Sequence, residues 1–359
     1  MISFHPTWQA LGIKSGDPIV DATDQWEIAP ADKRYLIPAI FLPDQLDRIR
    51  GTAFHPVEEV VSHFKGGYEL HEGPSIGYRV RHVDLVDGVL YSANGDRHLR
   101  QRKRRLPAYV VPREVASGVL YESWFGNRWI YSWFADDCPR YLLAEQYGTP
   151  VTSATRPQGQ HIPAYEALLG MRPQRFNRVH FDELILLEDF NRGRERQARF
   201  GRVRQKLLAA AGPHADHPGV FLLRGKTGDA RFLANEIEIA ERLARERGLR
   251  VLDGTKMSVD ELIAACAGAR VVAGVEGSQL AHGVAVMAPG TLLFTIQPPT
   301  RVTSAMKMFT DREEMLYAFV IGEGDLGAFT VEWDEVIRTL DMAIESSVRI
   351  PNLAAAPTA

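Results

Sequence analysis

Ala269-Arg-Val-Val-Ala-Gly-Val-Glu-Gly-Ser-Gln-Leu-Ala-His282 reads as an apolar strand, a glycine-bearing turn and the opening of a helix. A short, continuously apolar run suits a strand whose sheet is covered on both faces. The same pattern recurs on either side. Upstream, strand Gly219-Val-Phe-Leu-Leu223 leads to a helix around Phe232–Arg247 and then to strand Leu249-Arg-Val-Leu252. Ser258 and Glu261 form a capping box that opens a helix ending near Gly268. Downstream, a helix over Leu280–Met287 is stopped by Pro289-Gly290. Strand Thr291–Ile296, a helix near Val302–Met315, strand Tyr317–Ile321 and a last helix near Trp333–Glu345 follow. Strands alternating with helices predict a parallel sheet, and such sheets bind ligands beyond the carboxyl ends of their strands.

The N-terminal part predicts mixed α/β structure. Gly77-Tyr-Arg-Val-Arg-His-Val-Asp-Leu-Val-Asp-Gly88 alternates up to a turn, and Gly88-Val-Leu-Tyr91 resumes the pattern as in a hairpin. A short helix is expected from Ala164 to Gly170 and a buried strand at Leu184-Ile-Leu-Leu187. Composition changes at Asn191, where Arg192, Arg194, Arg196, Arg199, Arg202 and Arg204 crowd one segment. Phe200, Val203, Leu207 and Leu208 recur there at helical spacing, which predicts an arginine-studded helix at a domain boundary, its cations forming a solvated face. Two domains result, 1–190 and 191–359.

Composition excludes several classes. With 359 residues, 45% hydrophobic and 24% charged, the chain is long enough to bury large cores without staples. The 42 Lys and Arg against 45 Asp and Glu give a formal charge of -3, which offers no overall field for holding nucleic acid. Cys138 and Cys266 match no metal-ligand spacing and build no disulfide framework, so they are expected reduced and the protein cytoplasmic. No secretory signal opens the sequence, and no apolar stretch approaches the ~18 residues of a membrane span. The basic run Arg97–Arg105 reads as a solvated loop or as a peripheral contact with anionic lipid at the inner membrane face.

Two motifs mislead. Gly225-Lys226-Thr227 resembles the end of a P-loop, but Val220 stands where the first glycine belongs. Gly274-Val-Glu-Gly277 is not a dinucleotide fingerprint, which argues against a nucleotide-dependent oxidoreductase. Without Asp-x-Asp or H-E-x-x-H, no metal site is expected.

Three constellations carry chemistry. Arg224 ends a strand and Arg231 enters the next helix, with Asn235 and Glu236 one turn on. Planar guanidiniums so placed can grip an anion, or Arg231 and Glu236 can simply pair along the helix. Around Gly277, small size lets a ligand approach the backbone. There Ser278 either caps the helix or donates to a phosphate, and Glu276 and His282 flank the turn, His282 reading equally as a core residue. Trp133-Phe-Ala-Asp136-Asp-Cys-Pro139-Arg140 sets a carboxylate beside rings, which suits a sugar, or else forms a helix start with core aromatics.

The order of these motifs resembles glycosyltransferase family 61, which includes bacterial capsular-polysaccharide biosynthesis proteins. The resemblance spans roughly residues 120 to 300. It rests on Trp133…Asp136…Pro139-Arg140, on Arg224…Arg231…Asn235-Glu236, on Gly274-Val-Glu-Gly-Ser-Gln-Leu280 and on Ala288-Pro-Gly290. Many members carry histidines in an N-x-x-H-W motif and in an H-G-A-G-L-x-N turn. Here Ser132 and Glu276 stand at those histidine positions, His282 at the asparagine, and Ser278 and Gln279 at the small pair.

The resemblance implies a GT-B-like pair of Rossmann-type domains, the N-terminal one on the acceptor side and the C-terminal one binding the nucleotide sugar. It implies transfer of a sugar to a glycan acceptor with inversion, without a metal and with no cofactor besides the donor. In that scheme Arg224 and Arg231, with the Gly277 and Ser278 amides, hold the diphosphate. Asn235, Glu236, His282 and Trp133 contribute to substrate binding. Asp136 is the first candidate for the base and Glu276 the second. The alternative is a non-catalytic nucleotide- or glycan-binding protein on the same fold.

Overall fold

A computed structural model describes residues 1–13, 16–101, 107–154, 160–189, 193–226 and 228–349. Contacts divide the chain into two compact units: Met1–Asp32 with Glu72–Val203, and Lys33–His71 with the chain from Arg204 onward.

In the second unit the alternating pattern yields a five-stranded, all-parallel sheet. Its strands, in spatial order, are Arg250–Leu252, Val220–Leu222, Val271–Val275, Leu292–Gln297 and Leu316–Ile321. In chain order this is 2-1-3-4-5, the flavodoxin-like winding, so the direction of winding reverses between Val220–Leu222 and Val271–Val275. The three central strands and Leu316–Ile321 are buried along their whole length, which is why their sequences do not alternate. Phe221, Phe294, Ile296 and Val320 pack there with Ile239 and Leu243 of the helix Glu236–Arg247, and with Val336 and Leu340 of the helix Trp333–Arg349.

Lys33–His71 joins this unit through its edge strand. The Ile40 amide donates to Tyr317 O at 2.9 Å, and Phe319 N donates to Ile40 O at 3.1 Å. Phe64, fully buried, stacks on Phe319 with ring centroids 4.3 Å apart. The added bridge covers the exposed edge of a parallel sheet, which would otherwise present unpaired backbone groups.

The first unit departs from a second Rossmann-type domain: its sheet is mixed. Ser75–Val86 pairs antiparallel with Arg178–Glu188, Val89–Tyr91 and Ala22–Ala29, while Val115–Leu120 runs parallel to Arg178–Glu188 and Pro150–Thr152. The hairpin is the local cause. Asp87 and Gly88 sit at φ 49° and 77°, the left-handed pair of a type I′ turn, and a two-residue turn enforces antiparallel neighbours.

Local expectations refine in the same way. The capping box is present, with Ser258 Oγ accepting from Glu261 N and Glu261 bonding back to Ser258 N. Ala164–Gly170 becomes the helix Ile162–Leu169 closed by left-handed Gly170. The predicted helix over Phe232–Arg247 starts only at Glu236, because Ala234 N donates to Phe329 O and Phe329 N to Phe232 O, holding that stretch extended. The helix near Val302–Met315 narrows to Ala305–Arg312, and the last helix runs Trp333–Arg349. Leu280–Met287 resolves into a short 3-10 turn, Ser278–Leu280, and one helical turn, Ala281–Val284.

Candidate functional site

The carboxyl ends of Val220–Leu222, Val271–Val275 and Leu292–Gln297 bring three arginines together. Arg224 follows the first strand and is buried. Its backbone N–H donates to Glu236 Oε1 at 2.7 Å, its Nη1 to Gln279 Oε1 at 3.1 Å and its Nη2 to Asp229 O at 2.6 Å. Arg231, also buried, donates through Nη1 to Glu276 Oε2. Arg301, on the turn after Leu292–Gln297, reaches the same Glu276 oxygen at 3.7 Å and Asp229 at 3.7 Å, and lies over the Phe54 ring at 5.6 Å. One carboxylate thus holds two guanidiniums beside a third. Burial, then the neighbouring cations Arg231 and Arg301, push the Arg224 guanidinium down to about 10 against the help of Glu276 and Asp229.

Gly277 makes the packing of this cluster possible. A Cβ there would lie 2.0 Å from Arg224 Nη1 and 2.5 Å from Gln279 Oε1. Its backbone is extended, at φ 161°, so its smallness serves the guanidinium and not the chain conformation. Gly277 itself occupies the N-cap position of the Ser278–Leu280 turn, and no side chain caps it. Half-buried Ser278 is therefore the first residue of that turn and not its cap. Gln279 donates to Val275 O at 2.5 Å while accepting from Arg224, which ties the turn to the strand end.

Asn235 and Glu236 act as braces. Asn235 is the N-cap residue, yet its side chain is turned to Val331, donating to Val331 O at 2.9 Å and accepting from Val331 N at 3.3 Å. Glu236 accepts the amides of Arg224 and Gly225 at 2.7 and 2.8 Å. Burial raises its carboxyl above the ordinary range despite those bonds. Arg231 and Glu236 do not pair along the helix, since Arg231 lies before its first turn and turns to Glu276. His282 is buried in the Ala281–Val284 turn. Gly225 and Lys226 form no phosphate cradle, Lys226 Nζ lying 5.0 Å over Phe232; Thr227 of that decoy falls outside the described residues.

Trp133 and Asp136 belong to the first unit. Both sit in a single π-helical turn, Trp133–Asp137, between Ile130–Ser132 and Cys138–Tyr147. Trp133 is a core residue, edge-on to Phe134 at 5.0 Å and near Tyr165 at 6.4 Å. Asp136, with about a third of its side chain exposed (31%), pairs with Arg196, whose guanidinium also donates to Asp189 O and Ala135 O. Asp137 is wholly buried, accepts from Ser123 Oγ at 2.7 Å, and burial pushes its carboxyl up to about 8.

The arginine-studded helix, Arg194–Ala211, is not simply a solvated face. Arg194 and Arg202 are exposed, but Arg196 and Arg199 are buried, and Arg199 donates to Asp189 Oδ2 at 2.6 Å. Asn191 and Arg192 lie outside the described residues. In the basic run, Arg97 grips Asp17 and Glu188, and Arg100 bonds Ser153 and Glu122, so both serve the interior of their unit; 102–105 lie outside the described residues.

Arg301, Gln279 and Asp229 were not anticipated from the sequence. Arg301 had a readable signal, since it follows Pro298-Pro299 at the carboxyl end of an apolar strand. Gln279 and Asp229 had none, because their roles consist of contacts with Arg224.

The glycosyltransferase 61 family model matches residues 38–294, well over half of the chain. The chain belongs to the glycosyltransferase 61 family. Its matched span contains Asp136, Arg224, Arg231 and the Gly274–Leu280 turn. This glycosyltransferase matches no curated protein. A sugar donor and an acceptor follow from its family. Among the described residues no helix of the glycosyltransferase is long and apolar enough to cross a membrane. Cys138 and Cys266 are free and buried, and burial raises both thiols, Cys266 to about 12.

Proposed function

We propose that this glycosyltransferase moves a sugar from a nucleotide-sugar donor to a glycan acceptor in capsular or exopolysaccharide biosynthesis, with inversion and without a metal at the reacting centre. The single observation that carries the reading is the meeting of Arg224, Arg231 and Arg301 where the winding of the parallel sheet reverses. Ligands of such sheets bind at that place, and a departing nucleoside diphosphate needs fixed cations as its charge grows. Burial, and then the crowding of Arg231 and Arg301, depress Arg224, and a diphosphate would relieve the repulsion between these cations. The assigned division of labour is that of a GT-B enzyme, with donor binding in the C-terminal unit and acceptor binding in the N-terminal one.

In this reading Arg224 and Arg231 hold the diphosphate, assisted by the Gly277 and Ser278 amides. Asp136 takes the proton of the acceptor hydroxyl, which must leave as oxygen attacks the anomeric carbon. Glu276 is the second candidate for that role. Its contacts with two guanidiniums leave fewer lone pairs for a hydroxyl and suit it to orienting Arg231 and Arg301.

Binding of UDP and GDP, measured calorimetrically and by thermal shift, tests the assignment. Arg231→Ala removes a charge-assisted bond, and nucleotide affinity is expected to fall about 10–100-fold. Affinity equal to wild type, or stabilisation by NAD alone, rejects the donor site.

A further inference from the structure

A second cluster lies in the first unit, on the paired strands Ser75–Val86 and Arg178–Glu188. Their antiparallel register sets His180 opposite Asp84, and leaves His82 facing Asp182 between the pairs Val83–Phe181 and Arg81–Glu183. Two backbone irregularities sit at this point. His82 adopts φ 55°, and the pairing of Arg178–Glu188 with its other neighbour slips between Phe181 and Glu183. The outcome is a square of four side chains across two strands. His82 and His180 stack at 5.7 Å, and His180 Nε2 lies 3.6 Å from Asp182 Oδ1. One ligand atom from each of His82, His180 and Asp182 falls within 4.8 Å of the others, with His82 and Asp182 exposed.

We propose that His82, His180 and Asp182 bind a divalent transition-metal ion, with zinc the best match. Two imidazoles and a carboxylate are the N/O donor set zinc takes, with bonds of about 2.0–2.2 Å, so tetrahedral neighbours stand about 3.4 Å apart. The His180–Asp182 spacing already meets that requirement, and His82 is exposed and reaches it by rotating its side chain. The fourth member of the square supports the assignment. Asp84 Oδ1 contacts His180 Nδ1 at 2.7 Å, while its Oδ2 accepts from Tyr109 OH at 2.8 Å. A carboxylate on one ring nitrogen fixes the tautomer and turns the other nitrogen outward as a ligand, which is the arrangement that supports zinc-bound histidines. A solvated His–Asp pair would need neither the second histidine nor an orienting carboxylate held by a tyrosine. Linear spacing could not reveal this site, since His82 lies about 100 residues before His180 and Asp182 and meets them only through strand register.

The test is titration of the full-length, metal-free chain with Zn2+ in competition with a chromophoric zinc indicator. One ion per chain is expected. His82→Ala and His180→Ala should each lower the affinity by at least about tenfold, and Asp84→Asn by about 10–100-fold through loss of the orienting bond. His71→Ala, an exposed histidine outside the cluster, should leave it unchanged. Absence of stoichiometric zinc overturns the proposal, as does binding that survives both histidine substitutions. His82 is exposed, so a folded His82→Ala protein is expected, and circular dichroism of each variant separates lost binding from lost structure.

Discussion

At the residue scale, the proposed donor site depends on a missing side chain as much as on those present. Gly277 is extended, so alanine fits the backbone there, but its Cβ would overlap Arg224 Nη1. Gly277→Ala is therefore expected to keep the fold at a cost of about 1–3 kcal/mol, while displacing the guanidinium and lowering nucleotide affinity about tenfold. A folded variant with wild-type nucleotide binding would remove Arg224 from the site. The two carboxylates separate by kinetics. Asp136→Asn should lower kcat by about 10²–10⁴ with little change in nucleotide affinity, as loss of a general base does. Glu276→Gln should chiefly weaken donor binding, because it loosens Arg231 and Arg301. The reverse pattern would exchange their roles.

At the element scale, the π-helical turn Trp133–Asp137 buries a carboxylate whose folded form favours the proton. Burial outweighs Arg140, 3.5 Å away, and the Ser123 bonds, and sets Asp137 at about 8 against 3.8 in the open chain. Between those values the native state holds a proton that the unfolded state has lost. Stability therefore falls as pH rises, by at most about 1.4 kcal/mol per pH unit from this group. Asp311, pushed up to about 6 mainly by burial, acts in the same direction at lower pH. Urea unfolding of wild type at pH 6 and pH 8 should show the decline, and Asp137→Asn should flatten it. Equal pH dependence in both proteins would place the proton elsewhere.

The legibility of elements follows from how local their causes are. The capping box at Ser258 and the Asp87-Gly88 hairpin were readable because each is decided within four residues. The start of the helix Glu236–Arg247 was not, since a pairing with Phe329, over 90 residues away, overrode the local helical pattern. Arg196 and Arg199 misled for a related reason. Charge at helical spacing looks like a wet face unless a buried partner such as Asp189 is known. In that carboxylate, burial would raise the pKa, and the cations of Arg196, Arg199 and Arg140 reverse the direction and lower it.

At the scale of the whole molecule, the proposed reaction uses side-chain cations in place of a metal at the diphosphate. Transfer, measured as nucleoside diphosphate release and as anomeric configuration of the product by NMR, should proceed unchanged in excess EDTA and invert the donor's configuration. A strict divalent-metal requirement, or retention, would contradict it. A zinc site in the first unit would be stripped by the same chelator without affecting turnover.

The sequence alone determined the parallel sheet of the C-terminal half, the family resemblance and the two arginines after one strand, because apolar periodicity and strand-end placement are local properties. Tertiary structure alone decided that Lys33–His71 completes that sheet's edge, that Arg301 joins Arg224 and Arg231 around Glu276, and that two histidines and two aspartates form a square on the first unit's sheet. Each of these unites residues far apart in the chain. Only the register and winding of strands, set by burial of whole faces, specify which distant residues meet.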